Sequence, residues 1–468
     1  MLNDTVGRAS RSVSTWRHRS RAGRAPPALV PKPPAHKGGV VDDLPYCKKL
    51  LVHSSIDAKR LVAEADVAGC RRDGIRIFFE AAEVALEWLA HNQLKPSVHQ
   101  PGNEQYLEIA KLKCHTLVTL GAARSIEVVH EDSGFFSAWL IVLDVLLMAP
   151  REAAVTVQWR PAGTEKHFCY ADPGDPHADV WEALFKPVRR PSSPESSTST
   201  ARASQLVGER ARENPSPIET IDNTSFDARD RSMVVASRWN LLLSPRFRWL
   251  LAPSRFAATQ RSAYHAVLRK HVRARHPDVV AAVDAPGSLG AALAAATLGD
   301  GTTTSIGVHK RVYSPGTAEY QGQGGFVLTN EGFVEAVRIL MRRSPRTVTH
   351  IFLATDDVSA EPVFRAAFGP LLHVRKDVQR VGGGLNADGT LNEVHILSPH
   401  NPGCGLKDAA DVLADALLLA CCGTVLHMDS NVTSAVGYMG GAACEMVHAL
   451  DVIRSEGAGA VPHAFVQQ

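Results

Sequence analysis

Between residues 305 and 440, apolar runs of strand length alternate with stretches of helical period, a pattern that calls for an α/β architecture built on a parallel sheet. The expected strands are 304–309, 348–355, 371–374 and 424–428. The second of these is apolar almost throughout, as strands covered on both faces are. Expected helices lie at 331–343, halted by Ser344-Pro345, and at 407–421 and 431–450. In such a sheet the C-terminal strand ends open into one crevice, where ligands bind. Polar residues gather at those ends: His309-Lys310-Arg311, Asp356-Asp357 and Asp429-Ser430-Asn431.

A chain of 468 residues, 45% of them hydrophobic, has material for two domains. Upstream, residues 44–93 read as helical scaffold. A short strand at 125–130, an apolar helix from Phe135 and a strand at 155–159 make a βαβ unit over 126–159. Residues 189–232 turn to Ser, Pro, Arg and Glu and cannot bury enough surface to offset their ordering entropy, so they read as a disordered loop or linker. The resulting division is a basic, Pro-rich, disordered tail (1–43), an N-terminal α/β domain (44–188), the linker (189–232), a helical connection (233–303), a C-terminal Rossmann-like domain (304–455) and a tail (456–468). The basic run Arg261, His265, Arg269, Lys270, Arg273 and Arg275 reads first as a solvated helix face and second as a surface for an acidic substrate.

Several function classes drop out. A net charge of +3, assignable to the N-terminal tail, gives no basic face for nucleic acid. Eight cysteines without a C-x-x-C pair or histidines at metal spacing give no structural zinc site and read as buried free thiols. The longest apolar stretch, 135–149, contains Ser137 and Asp144 and falls short of the roughly 18 to 20 residues a membrane span needs. Neither a P-loop nor a dinucleotide fingerprint is present. The first 40 residues, with six arginines and one acid, have a transit-peptide composition that a basic low-complexity tail shares, so the compartment stays open.

The polar strand ends suit a phosphate. Ser430 and Asn431 stand where a strand hands over to a helix, whose free N–H groups attract anions. A guanidinium at Arg311 can neutralise a departing diphosphate, or else belong to an ordinary surface turn. Asp408, Asp411 and Asp415 share one helix face, and like charges so spaced cost about 0.2–0.5 kcal/mol per pair, so they ask for a partner.

Four segments, Gly307-Val308-His309-Lys310-Arg311, Leu353-Ala354-Thr355-Asp356-Asp357, Leu413-Ala414-Asp415 and Ser430-Asn431 with Val436-Gly437-Tyr438 behind them, resemble in order and spacing the GDP-fucose-dependent fucosyltransferases. That superfamily includes the α1,6-fucosyltransferases, the nodulation fucosyltransferase and the protein O-fucosyltransferases. Gly134-Phe135-Phe136-Ser137, a strand ending in Trp159, and residues 180–187 look like its acceptor-side domain, so the likeness covers about residues 125–450. It implies a GT-B architecture of two facing Rossmann-like domains. It also implies a GDP-fucose donor, a glycan or glycoprotein hydroxyl as acceptor, inversion, and no metal or other cofactor. By the same resemblance His309 meets the guanosine, Arg311 the β-phosphate and Asp415 the guanine edge, Ser430 and Asn431 sit by the diphosphate, and Asp356 and Asp357 brace the site. Glu319 falls at the offset of the proposed base, and Gly134, Phe135, Phe136 and Ser137 lie on the acceptor side. A Golgi or endoplasmic reticulum lumen would follow if an upstream signal anchor is missing from this chain.

The pattern also departs from the α1,6 enzymes. Val312 stands where they have a second arginine, and Ser314-Pro315 replaces an Asp-Lys pair. Core N-glycan fucosylation is therefore not expected. A non-catalytic nucleotide- or glycan-binding protein of the same fold is the alternative.

Overall fold

The computed structural model describes residues 123–129, 134–149, 153–159, 170, 175, 178–188, 224–227, 232–235, 255–313, 327–383, 386–387, 392, 394, 405–456 and 466–467. The tail at 1–43, the scaffold at 44–93, most of the linker and Glu319 lie outside these residues.

The chain is α/β with two parallel-based sheets. In the first, β1 (Ser125–Val129), β2 (Ala154–Gln158), β3 (Thr224–Asp227) and β4 (Ser232–Val235) lie in the order β2-β1-β4-β3, and only the β3–β4 pair is antiparallel. Between β1 and β2 runs α1 (Phe135–Met148), completing the expected βαβ unit. Its described side chains are all buried except Ser137, which accounts for a helix with almost no polar face. The structure corrects the linker here: residues 224–227, expected within it, pair as a strand.

Short α2 (Val180–Leu184) is capped by Asp179, whose carboxylate accepts from the N–H groups of Trp181 (2.9 Å) and Glu182 (3.2 Å). Then come α3 (Arg255–His271), α4 (Pro277–Val283) and α5 (Leu289–Leu298).

The second sheet alternates throughout. Its elements are β5 (Thr303–Lys310), α6 (Asn330–Arg343), β7 (Thr347–Thr355), α7 (Ala360–Phe368), β8 (Leu372–Val374), α8 (Gly405–Ala420), β9 (Thr424–His427), α9 (Asn431–Gly440), β10 (Glu445–His448) and α10 (Ala449–Glu456). All five strands are parallel, in the order β10-β9-β5-β7-β8. The chain thus starts in the middle, winds outward through β7 to β8, returns to the other side of β5 and winds out again. Strand order reverses between β5 and β9, which makes that gap the switch point where doubly wound sheets bind ligands.

Side-chain alternation divides the core. Ile306, Val308, Ile351, Leu353 and Leu426 face α6, α7 and α10. Phe352, Ala354 and Val425 face α8 and α9, in an apolar cluster continuous with Val128, Val142 and Trp181 of the first sheet's side. Apart from Ala354, each of these side chains, fully buried, contributes roughly 1.5–3 kcal/mol.

The two sides meet along α3. The Tyr264 hydroxyl donates to Asp144 of α1 at 2.5 Å, and the Tyr264 ring stacks on Tyr438 of α9 at 4.2 Å. Arg261 is buried and donates to the carbonyls of Gly437 (3.3 Å), Gly441 and Cys444. A cation there adds a donor to the Gly437 carbonyl, which also accepts from the Gly441 N–H, and meets two carbonyls just beyond the C-terminal end of α9. The expectation of a solvated basic face is corrected for Arg261, and His265 lies within 3.1 Å of the Tyr438 carbonyl; Arg269, Lys270, Arg273 and Arg275 are exposed.

Two further differences concern the C-terminus. The helix expected over 431–450 is broken at Gly441, whose φ of 56° lies in the left-handed region that suits glycine, and the chain continues as β10. Val466–Gln467 of the expected tail forms β11, paired antiparallel with β6 (Val327–Leu328). No described helix is long and apolar enough to cross a membrane.

Candidate functional site

Strand register decides what meets at the switch point. His309 of β5 is level with Ala354 of β7 and with His427 of β9, and His427 is level with His448 of β10. The residues that follow these strands, Arg311, Asp356 and Asp429, therefore emerge along one rim.

Alternation sends Lys310 and His309 to opposite faces. Lys310 is buried in an ion pair with Asp357. The same carboxylate accepts from the N–H (2.8 Å) and hydroxyl (2.6 Å) of Ser359. Burial pulls the Asp357 carboxyl upward, but donation from Lys310 and Ser359 outweighs it and holds the group below its usual value. The Lys310 charge is thus neutralised inside the fold.

Asp356 shapes the turn. Its Oδ1 accepts from the Val312 N–H at 2.7 Å, which fixes the backbone just after Arg311. Burial lifts the Asp356 carboxyl to about 6, against the charge of Arg311 and the Val312 donor. The Arg311 guanidinium carbon lies 5.9 Å from the centroid of the Tyr313 ring, and the Tyr313 hydroxyl donates to the main-chain carbonyl of Asp429 at 3.1 Å. The turn after β5 is thereby tied to the residue preceding α9. Val312 is buried against Gly383, whose φ of 74° and lack of a side chain let the glycine-rich segment approach it.

At the start of α9, Ser430 and Thr433 form a capping box. The Thr433 N–H donates to Ser430 Oγ (3.1 Å) and the Ser430 N–H donates to Thr433 Oγ1 (3.0 Å). The Ser430 side chain is spent on the helix, so an anion there would meet the free N–H groups of the first turn. Along this rim, Nδ1 of His309 and Oδ1 of Asn431 are shut off from solvent and make no hydrogen bond among the described residues. Burial, then the charges of Arg311 and His427, push His309 down to about 3, so its imidazole is neutral. Orphaned atoms of this kind at a strand end are met by a ligand or by water.

Two of the acids on this face of α8, Asp411 and Asp415, have the partner their spacing asks for. Arg375, just after β8, donates through Nη2 to Asp411 Oδ1 (2.6 Å) and through Nη1 to Asp415 Oδ1 (3.2 Å) and the Asp411 carbonyl (2.8 Å). Lys407 adds a bond to Asp411 Oδ2 at 2.6 Å. Burial raises Asp415 to about 6 against the charge of Arg375, and raises Asp408 to about 6 with help from Asp411.

The sequence reading missed Arg375, His427, His448 and Tyr313. The like-charged face of α8 signalled that a cation was needed but not which one. His427 and His448 lie with ring centroids 5.7 Å apart, each within 3.9 Å of Asp429, a grouping that only strand register reveals. Gly134 precedes α1 without a side-chain cap. Phe135 and Phe136 are buried edge-on against Trp159 (5.3 Å) and Trp139 (5.6 Å), and Ser137 is half-buried. Among the described residues no three His, Cys, Asp or Glu side chains group as a metal site requires.

No protein-family model matches this chain, and no curated protein does. Solved structures of the NodZ alpha-1,6-fucosyltransferase align with it at low similarity. The form soaked with GDP-fucose is 15% identical over 68% of this chain and 92% of that one, with a TM-score of 0.34. The form co-crystallized with GDP is 16% identical over 67% and 91%, with a TM-score of 0.33. The Se-Met form from Bradyrhizobium is 15% identical over 68% and 91%, with a TM-score of 0.34. Similarity at this level assigns neither a residue nor a substrate.

Proposed function

We propose that the chain is a GT-B glycosyltransferase that transfers fucose from GDP-fucose to a glycan or protein hydroxyl, with inversion and without a metal. One observation carries the reading: at the switch point the turn bearing Arg311 is tied through Tyr313 to the residue before the capped start of α9. A guanidinium and a helix N-terminus then serve the same crevice, as a diphosphate leaving group needs.

In this scheme the acceptor oxygen forms a bond to the anomeric carbon while the bond to the diphosphate oxygen breaks. That electron pair passes to the β-phosphate, where Arg311 and the first-turn N–H groups of α9 stabilise it. The acceptor proton goes to a general base, for which the family resemblance nominates Glu319. Asp356 and Asp357 act through the turn and through Lys310, His309 offers a neutral ring nitrogen to the nucleoside, and Asp415 takes the N–H edge of guanine.

A second reading has its own observation. Val312 is buried where the α1,6 enzymes carry a further arginine, so this turn holds a single guanidinium beside Arg311's neighbour Tyr313, and the chain could bind a nucleotide without turning it over. Turnover separates the two. GDP-fucose hydrolysis or transfer that vanishes in Arg311→Ala supports the enzyme, and GDP binding with no turnover supports the binding protein. Absence of any thermal shift at about 100 times a micromolar dissociation constant, where about 2.7 kcal/mol is expected, overturns both.

A further inference from the structure

Asp415 is an unusual carboxylate. It sits in the middle of α8 among buried neighbours, with 15% of its side chain exposed, and only one of its oxygens is held. Oδ1 accepts from Arg375, while Oδ2 accepts no hydrogen bond among the described residues. Arg375 is itself fixed on both sides, by the carboxylate and carbonyl of Asp411 and by Arg380, which donates to the Arg375 carbonyl at 2.7 Å. Asp411 is in turn pinned by Lys407, whose ammonium also donates to the Asp377 carbonyl at 2.6 Å. The chain has built a rigid mount for one carboxylate oxygen and left the other open.

We infer that Arg375 is a positioning residue for nucleobase selection: by clamping Oδ1 it aims Oδ2 of Asp415 at a base edge that presents N–H donors. The inference rests on the reading of the crevice as a nucleoside diphosphate site. Guanine offers an N1–H and an exocyclic amine side by side, hypoxanthine only the N1–H, and adenine presents an acceptor at N1. A carboxylate fixed in this way rewards guanine, tolerates hypoxanthine and leaves adenine facing an unpaired acceptor. A carboxylate free to rotate loses that discrimination. The charge also has to stay in place. Arg375 opposes the effect of burial on Asp415, so its loss moves protonation of the acceptor to higher pH.

The test is calorimetric titration of the full chain with GDP, IDP and ADP between pH 5 and 8, for the wild type, Arg375→Gln, Arg375→Lys and Asp411→Asn. The wild type is expected to prefer GDP over ADP and to lose GDP affinity below about pH 6, where Asp415 takes up a proton. Arg375→Gln should cut the GDP-to-ADP ratio by about tenfold or more and shift the pH midpoint upward. Arg375→Lys keeps the charge without the fork and should recover the pH midpoint better than the base preference. Asp411→Asn, which loosens the mount without touching Asp415, should lower the preference as well. If Arg375→Gln and Asp411→Asn remain folded by circular dichroism and keep both the ratio and the midpoint, Arg375 is only a structural tie and the inference is wrong. If the wild type binds none of the three nucleotides, the reading of the crevice fails first.

Discussion

The Tyr313 hydroxyl donates to the main-chain carbonyl of Asp429 at 3.1 Å, across the gap where strand order reverses. This bond joins the two turns that border the crevice, with the aromatic ring beneath Arg311. Tyr313→Phe removes the donor and keeps the ring. The expected cost is about 0.5–1.5 kcal/mol in urea unfolding. GDP affinity should fall by more than that loss of global stability implies, because the start of α9 is no longer held to the turn. Equal binding by the two proteins would show that the tie does not organise the crevice.

Lys310 and Asp357 predict a different pattern. The pair is buried, so removing one partner leaves an uncompensated charge, whereas removing both does not. Lys310→Met or Asp357→Leu alone should cost roughly 3–5 kcal/mol, and the two combined should regain most of it. Because the folded Asp357 carboxyl lies below its usual value, its contribution is complete above the unfolded pKa and fades as pH falls through the folded one. A double-mutant cycle at neutral pH and again near pH 3 measures both, and an additive cycle would sink the claim.

Arg311 carries the sharpest functional prediction. If it stabilises a departing diphosphate, Arg311→Ala should lower turnover about 10²–10³-fold with little change in unfolding midpoint, since the side chain is only half-buried. Arg311→Lys keeps a point charge but loses the fork and should fall between. In the proposed scheme no divalent ion shares this work, so turnover should survive EDTA. Loss of activity in chelator, restored by a divalent metal, would remove metal independence from the scheme.

The parts of the fold legible in the sequence are those where one strong pattern acts locally. Strand β7 is visible because both of its faces are buried, and α6 because its helical period is stopped at Ser344-Pro345; its cap at Thr329 is a finding of the structure. Strand β10 was hidden in the periodicity of 431–450: four residues are too few to show alternation, and the break depends on the backbone at Gly441. Arg261 and Arg375 were hidden for another reason. Their partners lie 176–183 and 36–40 residues away, and charge pattern along one helix says nothing about carbonyls arriving from another. At the crevice the carboxylates and the helix cap were readable from strand ends, while the histidine row and Tyr313 needed strand register.

Arg261 therefore yields a stability prediction. Its guanidinium meets three carbonyls at and just beyond the end of α9, so Arg261→Met takes the side-chain donor from the Gly441 and Cys444 carbonyls and leaves Gly437 only its bond from the Gly441 N–H. At least about 2 kcal/mol should be lost in denaturant titrations, and Arg261→Lys should recover only part of it, because an ammonium cannot span the three acceptors in a plane. A near-neutral Arg261→Met would mean the carbonyls find water instead.

His309 gives the last prediction, and its sign follows from the direction of the shift. The folded imidazole is pushed down to about 3 by burial, with Arg311 and His427 adding to it, whereas the unfolded one titrates near 6.5. Between those values the unfolded chain holds a proton that the folded chain refuses, so the stability associated with neutral His309 is complete above about pH 6.5 and drains away as pH falls. Asp356 and Asp415 work in the opposite sense: each titrates at about 6 in the fold, so the folded chain takes up protons first and gains stability on acidification. The two trends offset one another in the wild type, and a simple pH profile would hide both. Comparison with His309→Gln removes the carboxylates from the difference. The stability of the wild type relative to the variant should decline by about 1.4 kcal/mol per pH unit below about pH 6 in urea unfolding. A difference that stays flat from pH 7 to 4.5 would show that His309 takes up its proton as readily in the fold as in the open chain.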